Sequence, residues 1–150
     1  LFPHWRFVLS HGMTIEALCP TCGKANEFET EDRSFMLSCH SCSNPFGFIS
    51  DFVSQKGELN HCGICGCRDL YIQKDFSRVV GCSIAAIGAI LAPFTRFLSL
   101  LVAALIDLVL YKVLPLITIC YRCKSIYRDF PLNPAHEAFN LGINDRYRSA

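Results

Sequence analysis

Ten of the 150 residues are cysteines, and eight of them fall in four Cys-x-x-Cys pairs: Cys19/Cys22, Cys39/Cys42, Cys62/Cys65 and Cys120/Cys123. Two thiolates on one tight turn can take two corners of a tetrahedral metal shell, and two such turns complete it. A disulfide framework has no reason to repeat one spacing four times, whereas metal knuckles do. Eight ligands make two shells, each filled by sulfur with no position left open, which is the donor set of structural rather than catalytic zinc. The expectation is two structural Zn2+ ions held by these eight cysteines, with iron as the alternative, since the same soft thiolates bind it. Cys67 and Cys82 are left over. Cys67, in Cys-x-x-Cys-x-Cys, reads as a spare thiol that could also swap in as a ligand or act in redox chemistry. Cys82 reads as a small apolar residue. His40 and His61 each adjoin a ligand cysteine, but four sulfurs already fill each shell, so both read as surface or neighbouring residues.

These sulfurs need elements to position them. Residues 17–50, with "LCPTCGKANEFETEDRSFMLSCHSCSNPFGF" at their centre, set the interval 23–38 between the first two pairs. That interval holds two short strand-like runs, "NEFET" and "RSFMLSC". Gly23 follows the first pair and can take the positive φ that such a turn needs, while Pro20 stiffens it. The unit resembles a zinc ribbon, and a ribbon this small depends on its metal for folding. Residues 51–61 read as a linker. The third pair opens 62–75, in "HCGICGCRDLYIQKDF", but the fourth comes only after a long apolar insert, in 117–130, which contain "CYRCKSIYRDF". The two pieces look like halves of one split ribbon. Phe46, Phe48, Tyr71, Tyr121 and Tyr127 read as the small cores of the ribbons.

The insert, 76–116, is strongly apolar. Val79 to Phe94 carry no charge. Phe76 to Phe94 and Phe97 to Leu116 would be about 29 and 30 Å long as helix, enough to cross a bilayer. Pro93, Thr95 and Arg96 mark the break between them. The expected fold is therefore small metal-bound β, two zinc ribbons, plus an α-helical transmembrane hairpin inserted in the second ribbon. Parity agrees, because a shared ion requires both halves of the split ribbon on one membrane face. Lys74, Arg78, Lys112, Arg122, Lys124 and Arg128 at the ribbon ends, against Arg96 in the far turn, put both ribbons and both termini in the cytoplasm by the positive-inside rule. Asp107, an acid within a span, faces a partner or water, either inside the hairpin or in a second copy, in a structural or a proton-handling role.

The mean hydropathy is +0.30, and only 18% of residues are charged. The net charge of +1 conceals an asymmetry: residues 1–61 hold four Lys/Arg against seven Asp/Glu, and 62–150 hold ten against six. No basic face emerges in the first ribbon, which argues against nucleic acid as a partner. No nucleophile–base arrangement, phosphate-cradling glycine loop or H-E-x-x-H occurs, so no enzyme is expected. Residues 1–16 read as an N-terminal extension that need not be native. The part that precedes Met13 is too short and aromatic-rich for a secretory signal. In the tail, 131–150, Asn133 and Pro134 read as cap and first position of a short helix that Gly142 ends.

The segments "CGICGCRDLYIQKDF", "LYKVLP", "CYRCKSIYRDF" and "NPAHEAFNLGINDRYR" resemble bacterial membrane proteins of uncharacterised function that carry zinc ribbons beside a helical hairpin. Both sets of knuckles resemble the zinc-ribbon superfamily. The resemblance implies a place in the bacterial inner membrane and no particular activity. Only Cys19-Pro20-Thr21-Cys22-Gly23 has the first-turn form of rubredoxins, which hold iron in a similar cage. The expected function is a membrane-anchored, non-catalytic protein-interaction or assembly module. Its expected partners are the bilayer, a protein, and a second copy through the hairpin at Asp107. Membrane-associated redox or electron transfer and nucleic-acid binding are the alternatives.

Overall fold

The computed structural model describes residues 12–76, 78–95 and 97–148. They divide into two compact units, one of 74–116 and the other of the described residues up to 73 and from 117 onward. Positions 1–11 of the N-terminal extension, and Arg96 in the charge argument, lie outside the described residues.

The larger unit is a small, mixed, sheet-rich domain. Its strands are β1 (Met13–Leu18), β2 (Ala25–Thr30), β3 (Met36–Ser38), β4 (Pro45–Phe48), β5 (Leu70–Lys74), β6 (Leu116–Cys120), β7 (Ile126–Arg128) and β8 (Glu137–Ala138). Six of them form one sheet in the order β2-β1-β7-β6-β5-β8, and β3 and β4 form a separate hairpin. The two cysteine-bearing regions are therefore not independent ribbons. β1 pairs with its own neighbour β2 and, on its other edge, with β7 from the end of the chain, setting Ile15 opposite Tyr127. An ion pair between Glu16 and Arg128 crosses the same seam. Residues 13–16, read as extension in the sequence, form most of β1.

One core serves both regions. Ile15, Phe28 and Leu37 from the first pack with Leu70, Tyr127 and Phe130 from the second, and with Leu59 from the segment between them. Between them the short helix α1 (Ile49–Phe52) contributes Ile49 and Phe52, 0% and 2% exposed, so residues 51–53 of the expected linker are partly core. Close packing leaves no room at Gly63, where an added Cβ would sit 2.4 Å from the Phe52 ring.

The smaller unit is a helical hairpin, α2 (Arg78–Leu91) and α3 (Leu98–Val113). The expected transmembrane hairpin is not present. The helices have 14 and 16 residues, about 21 and 24 Å against the about 30 Å of a hydrocarbon core. Among the described residues no helix is long and apolar enough to cross a membrane. The apolar run is longer than the helices because other structure takes up its ends. Pro93 lies in a turn in which the Phe94 and Thr95 amides both bond to the Leu91 carbonyl, and Phe97 precedes α3 with a left-handed φ of 67°. Leu114 turns extended (φ −62°, ψ 136°), as a residue before proline must, and β6 begins at Leu116. The placement as an integral inner-membrane protein with two spans falls with the spans, as do the bilayer as partner of a spanning hairpin and the cytoplasmic orientation of both termini and both ribbons. Parity needs no membrane either, because β5 and β6 are neighbours in the sheet and the hairpin simply returns the chain to that edge.

Within the hairpin, the helices approach closely at Gly88, where an added Cβ would meet the Ala103 Cβ at 3.0 Å. The Ser99 hydroxyl donates to the Gly88 carbonyl at 2.9 Å. The Lys74 ammonium closes the base by donating to the Leu114 carbonyl at 2.9 Å. Most other apolar side chains remain exposed, among them Ile87, Ile90, Leu98, Leu101, Leu105 and Val109. One Asp107 carboxyl oxygen, Oδ1, is buried and has no hydrogen-bond partner among the described residues.

The tail differs from expectation in register. Asn133 caps only a turn, its Oδ1 accepting the Ala135 amide at 2.9 Å. Glu137–Ala138 then pair in parallel with β5, and Phe139 packs on the rings of Tyr71 and Tyr121. The helix α4 (Leu141–Arg148) starts well past that first cap signal, with Asn140 Oδ1 accepting the Gly142 amide at 2.9 Å.

The tight fit at Gly63 can be tested by substitution. Gly63→Ala must push Phe52 out of the shared core and is expected to lower stability by about 1–3 kcal/mol, read as a shift in the denaturant midpoint of the metal-loaded protein.

Candidate metal centres

All four Cys-x-x-Cys segments fold into the same knuckle. In each, the first cysteine's carbonyl accepts the amide four residues on, and its own amide donates to the carbonyl five residues on. The pairs are Gly23/Lys24 for Cys19, Ser43/Asn44 for Cys39, Gly66/Cys67 for Cys62 and Lys124/Ser125 for Cys120, all at 2.8–3.1 Å. The residue after the second cysteine must then be left-handed, with φ values of 69°, 56°, 68° and 59° at Gly23, Ser43, Gly66 and Lys124. Glycine takes this conformation freely, while serine and lysine bear a cost of about 1–2 kcal/mol. Lys124 is also tied down by its side chain, which donates to Asn144 Oδ1 at 2.6 Å and lies over the Tyr71 and Tyr121 rings.

The knuckles meet in pairs. The sulfurs of Cys19, Cys22, Cys39 and Cys42 lie within 4.8 Å of one another, and so do those of Cys62, Cys65, Cys120 and Cys123. Closest approaches are 3.6 Å for Cys19–Cys42 and Cys22–Cys39, 3.4 Å for Cys62–Cys123 and 3.6 Å for Cys65–Cys120. Four sulfurs around an ion at about 2.3 Å stand about 3.8 Å apart in a tetrahedron, so both cages fit such an ion. The donor set and spacing suit zinc and iron alike. All eight expected ligands come together in these two cages.

Four thiols this close cannot all ionise without a cation, and their proton affinities diverge. In the first cage the backbone amides of Cys42 and Ser41 hold Cys39 down to about 6, against burial that opposes it. The Asn44 amide pulls Cys42 down, but burial and its hydrogen bonds to Cys39, Cys19 and Cys22 win and push it up to about 12. In the second cage hydrogen bonds from Cys120, Cys123 and Cys65 drive Cys62 far down, and bonds to Cys123, Cys62 and Cys65 drive Cys120 far up. Cys123 is lowered to about 7, chiefly by its bond to Cys120. A divalent cation removes this competition by taking all four sulfurs as thiolates.

Groups around the cages differ from those the sequence singles out. Asn26, 3% exposed, joins the two knuckles of the first cage: its Oδ1 accepts the His40 amide at 2.9 Å and its Nδ2 donates to the Lys24 carbonyl at 2.9 Å. Sequence reasoning missed it, and the only signal available was an amide inside a strand-like run. Tyr127 supplies more than core. Its oxygen accepts the Gly63 amide at 3.0 Å, leaving the phenolic hydrogen for Cys62 Sγ, 3.1 Å away. Burial, then the Cys62 charge, raises its pKa well above the ordinary phenol value, so the hydroxyl stays a donor. The Ser125 hydroxyl lies 3.0 Å from Cys123 Sγ.

The leftover residues stand outside both cages. The Cys67 thiol donates to Tyr147 Oη at 3.4 Å, and that hydroxyl donates to Asp69 Oδ2 at 2.5 Å, tying α4 to the third knuckle. His40 stacks on Phe28, and His61 meets the edge of Phe52. Cys82 lies exposed on α2.

Comparison with known proteins returns no match, whether to a family model, a curated protein or a solved structure. The two four-cysteine cages are consistent with zinc-ribbon-like sites.

The knuckle geometry can be probed at its left-handed residues. Ser43→Gly is expected to raise the stability of the metal-loaded protein by about 1 kcal/mol, and Gly23→Ala, whose new Cβ meets nothing within 4 Å, to lower it by about 1–2 kcal/mol. Asn26→Ala, which removes the acceptor of the His40 amide and one of two donors to the Lys24 carbonyl, should cost about 0.5–1.5 kcal/mol and weaken metal uptake by the first cage, measured by competition with a chromophoric chelator.

Proposed function

We propose that this chain is a non-catalytic interaction or assembly module whose sheet domain is built around two structural zinc ions. The observation that carries the reading is the closure of both cages: four cysteine sulfurs meet at tetrahedral distances in each, which leaves a bound ion no position for substrate or water. The sheet domain would serve as the rigid part. The hairpin, with apolar side chains exposed on both helices, would supply the contact surface for a protein partner or a second copy, and Asp107 would find there the hydrogen-bond donor it lacks within the hairpin. Extended exposed apolar surface of this kind marks association sites.

Iron in the same cages would make the chain an electron carrier instead, and metal analysis separates the two. Protein purified under reducing conditions is expected to be colourless and to contain two equivalents of zinc. Cys120→Ala should retain one equivalent and lose the pairing of β6 with its neighbours, seen as lost amide dispersion in NMR spectra. An iron–thiolate absorption band in the purified protein, or a folded Cys120→Ala variant with two full equivalents, would contradict the proposal.

A further inference from the structure

We infer that the two cages are chemically unequal, and that Cys22 and Cys42 of the first form a modification site for soft electrophiles and peroxides, at which reaction releases that ion while the second cage keeps its own. The inference rests on the metal reading above. It is carried by how each sulfur is covered.

In the first cage each knuckle buries its first cysteine and exposes its second: Cys19 and Cys39 are each 2% exposed, and Cys22 and Cys42 are open to solvent. The residues between them, Pro20, Thr21, His40 and Ser41, are exposed too. Among the described residues the donors to these sulfurs from outside the four cysteines are backbone amides, of Ser41 to Cys39 at 3.5 Å, Thr21 to Cys19 and Asn44 to Cys42. No side-chain hydroxyl among the described residues reaches any of the four.

The second cage has no exposed sulfur. Cys62 and Cys120 are fully buried, and Cys65 and Cys123 are half-buried and packed against the main core. Two hydroxyls from buried residues also reach its sulfurs, Tyr127 to Cys62 at 3.1 Å and Ser125 to Cys123 at 3.0 Å. Such bonds draw charge from a metal-bound thiolate and lower its nucleophilicity, while burial denies a reagent its line of approach. Both effects act in the same direction. They protect the second cage and leave the first open.

The chemistry is that of a thiolate. With iodoacetamide, the Cys22 or Cys42 sulfur forms a bond to the methylene carbon as the carbon–iodine bond breaks and iodide leaves. The thioether is a poor zinc ligand, and the ion departs. With hydrogen peroxide, the Cys42 thiolate takes one oxygen as the oxygen–oxygen bond breaks, giving a sulfenic acid and hydroxide. The Cys19 thiolate, 3.6 Å away, then attacks that sulfur and expels a second hydroxide. The two sulfurs lose two electrons to form a disulfide, the peroxide gains two, and both hydroxides take up protons as water. The same sequence is open to Cys22 with Cys39, also at 3.6 Å.

The test uses the full chain carrying Cys82→Ser, which removes the exposed thiol outside the cages, loaded with two equivalents of zinc. Iodoacetamide is added, zinc release is followed with a colour indicator, and alkylation is mapped by mass spectrometry at intervals. One equivalent should leave at least tenfold faster than the other, with carbamidomethyl groups on Cys22 and Cys42 before Cys65 or Cys123. Simultaneous release of both ions, or earlier labelling of the second cage, would overturn the inference and leave the metal reading intact. Failure of the unreacted chain to take up two equivalents would overturn the metal reading and this inference with it.

Discussion

The requirement that four sulfurs meet within a few ångströms governs this molecule, and it is most demanding in the second cage. Cys62 and Cys65 must reach Cys120 and Cys123 across the whole interval 66–119, which places β5 beside β6 and compels the insert to return to where it left. Closing so long a loop is entropically unfavourable, and a metal–thiolate shell offers one of the few local interactions strong enough to offset it. The helical hairpin is thus a consequence of cage closure, and its helices can be short because nothing in that closure asks them to span a fixed distance.

The first cage closes locally, across the interval 23–38, and would leave only a small hairpin pair by itself. What gives it a core is β1, whose free edge accepts β7. That pairing sets Ile15 beside Tyr127, and Tyr127 in turn reaches the Cys62 sulfur. The strand that belongs to one cage is thereby bonded to the strand that supports the other. Phe28, Leu37, Leu59 and Tyr127 then pack as a single cluster. The two cysteine-bearing regions, each too small to build a core by itself, share this cluster, and a second one of Tyr71, Ile117, Ile119 and Tyr121 lies in the same domain.

The cages are legible in the sequence because their information is local. Cysteine spacing states the ligand pairs, and Gly23 and Gly66 mark the left-handed residue that follows. At Ser43 and Lys124 the same conformation carries no such mark, since it is imposed by the knuckle's hydrogen bonds. The shared sheet is not legible. Glu16 and Arg128 stand at opposite ends of the chain, and no periodicity in either strand points to the other. The hairpin is legible as two helices but not as two short ones, because hydropathy counts apolar residues without showing that Phe94 and Thr95 belong to a turn and Leu116 to a strand. In the tail, Asn133 looks like the cap of a helix, but the edge of β5 takes Glu137 and Ala138 as a strand, and the helix begins only at Leu141.

If metal closure creates the shared sheet, an NMR titration of the metal-free, reduced chain with zinc will show it most directly. Amide dispersion should be collapsed without metal, and the β1 and β7 signals should recover together as two equivalents are added. A metal-free chain that already shows the dispersed spectrum of the paired β1 and β7 strands would contradict this dependence on the ions.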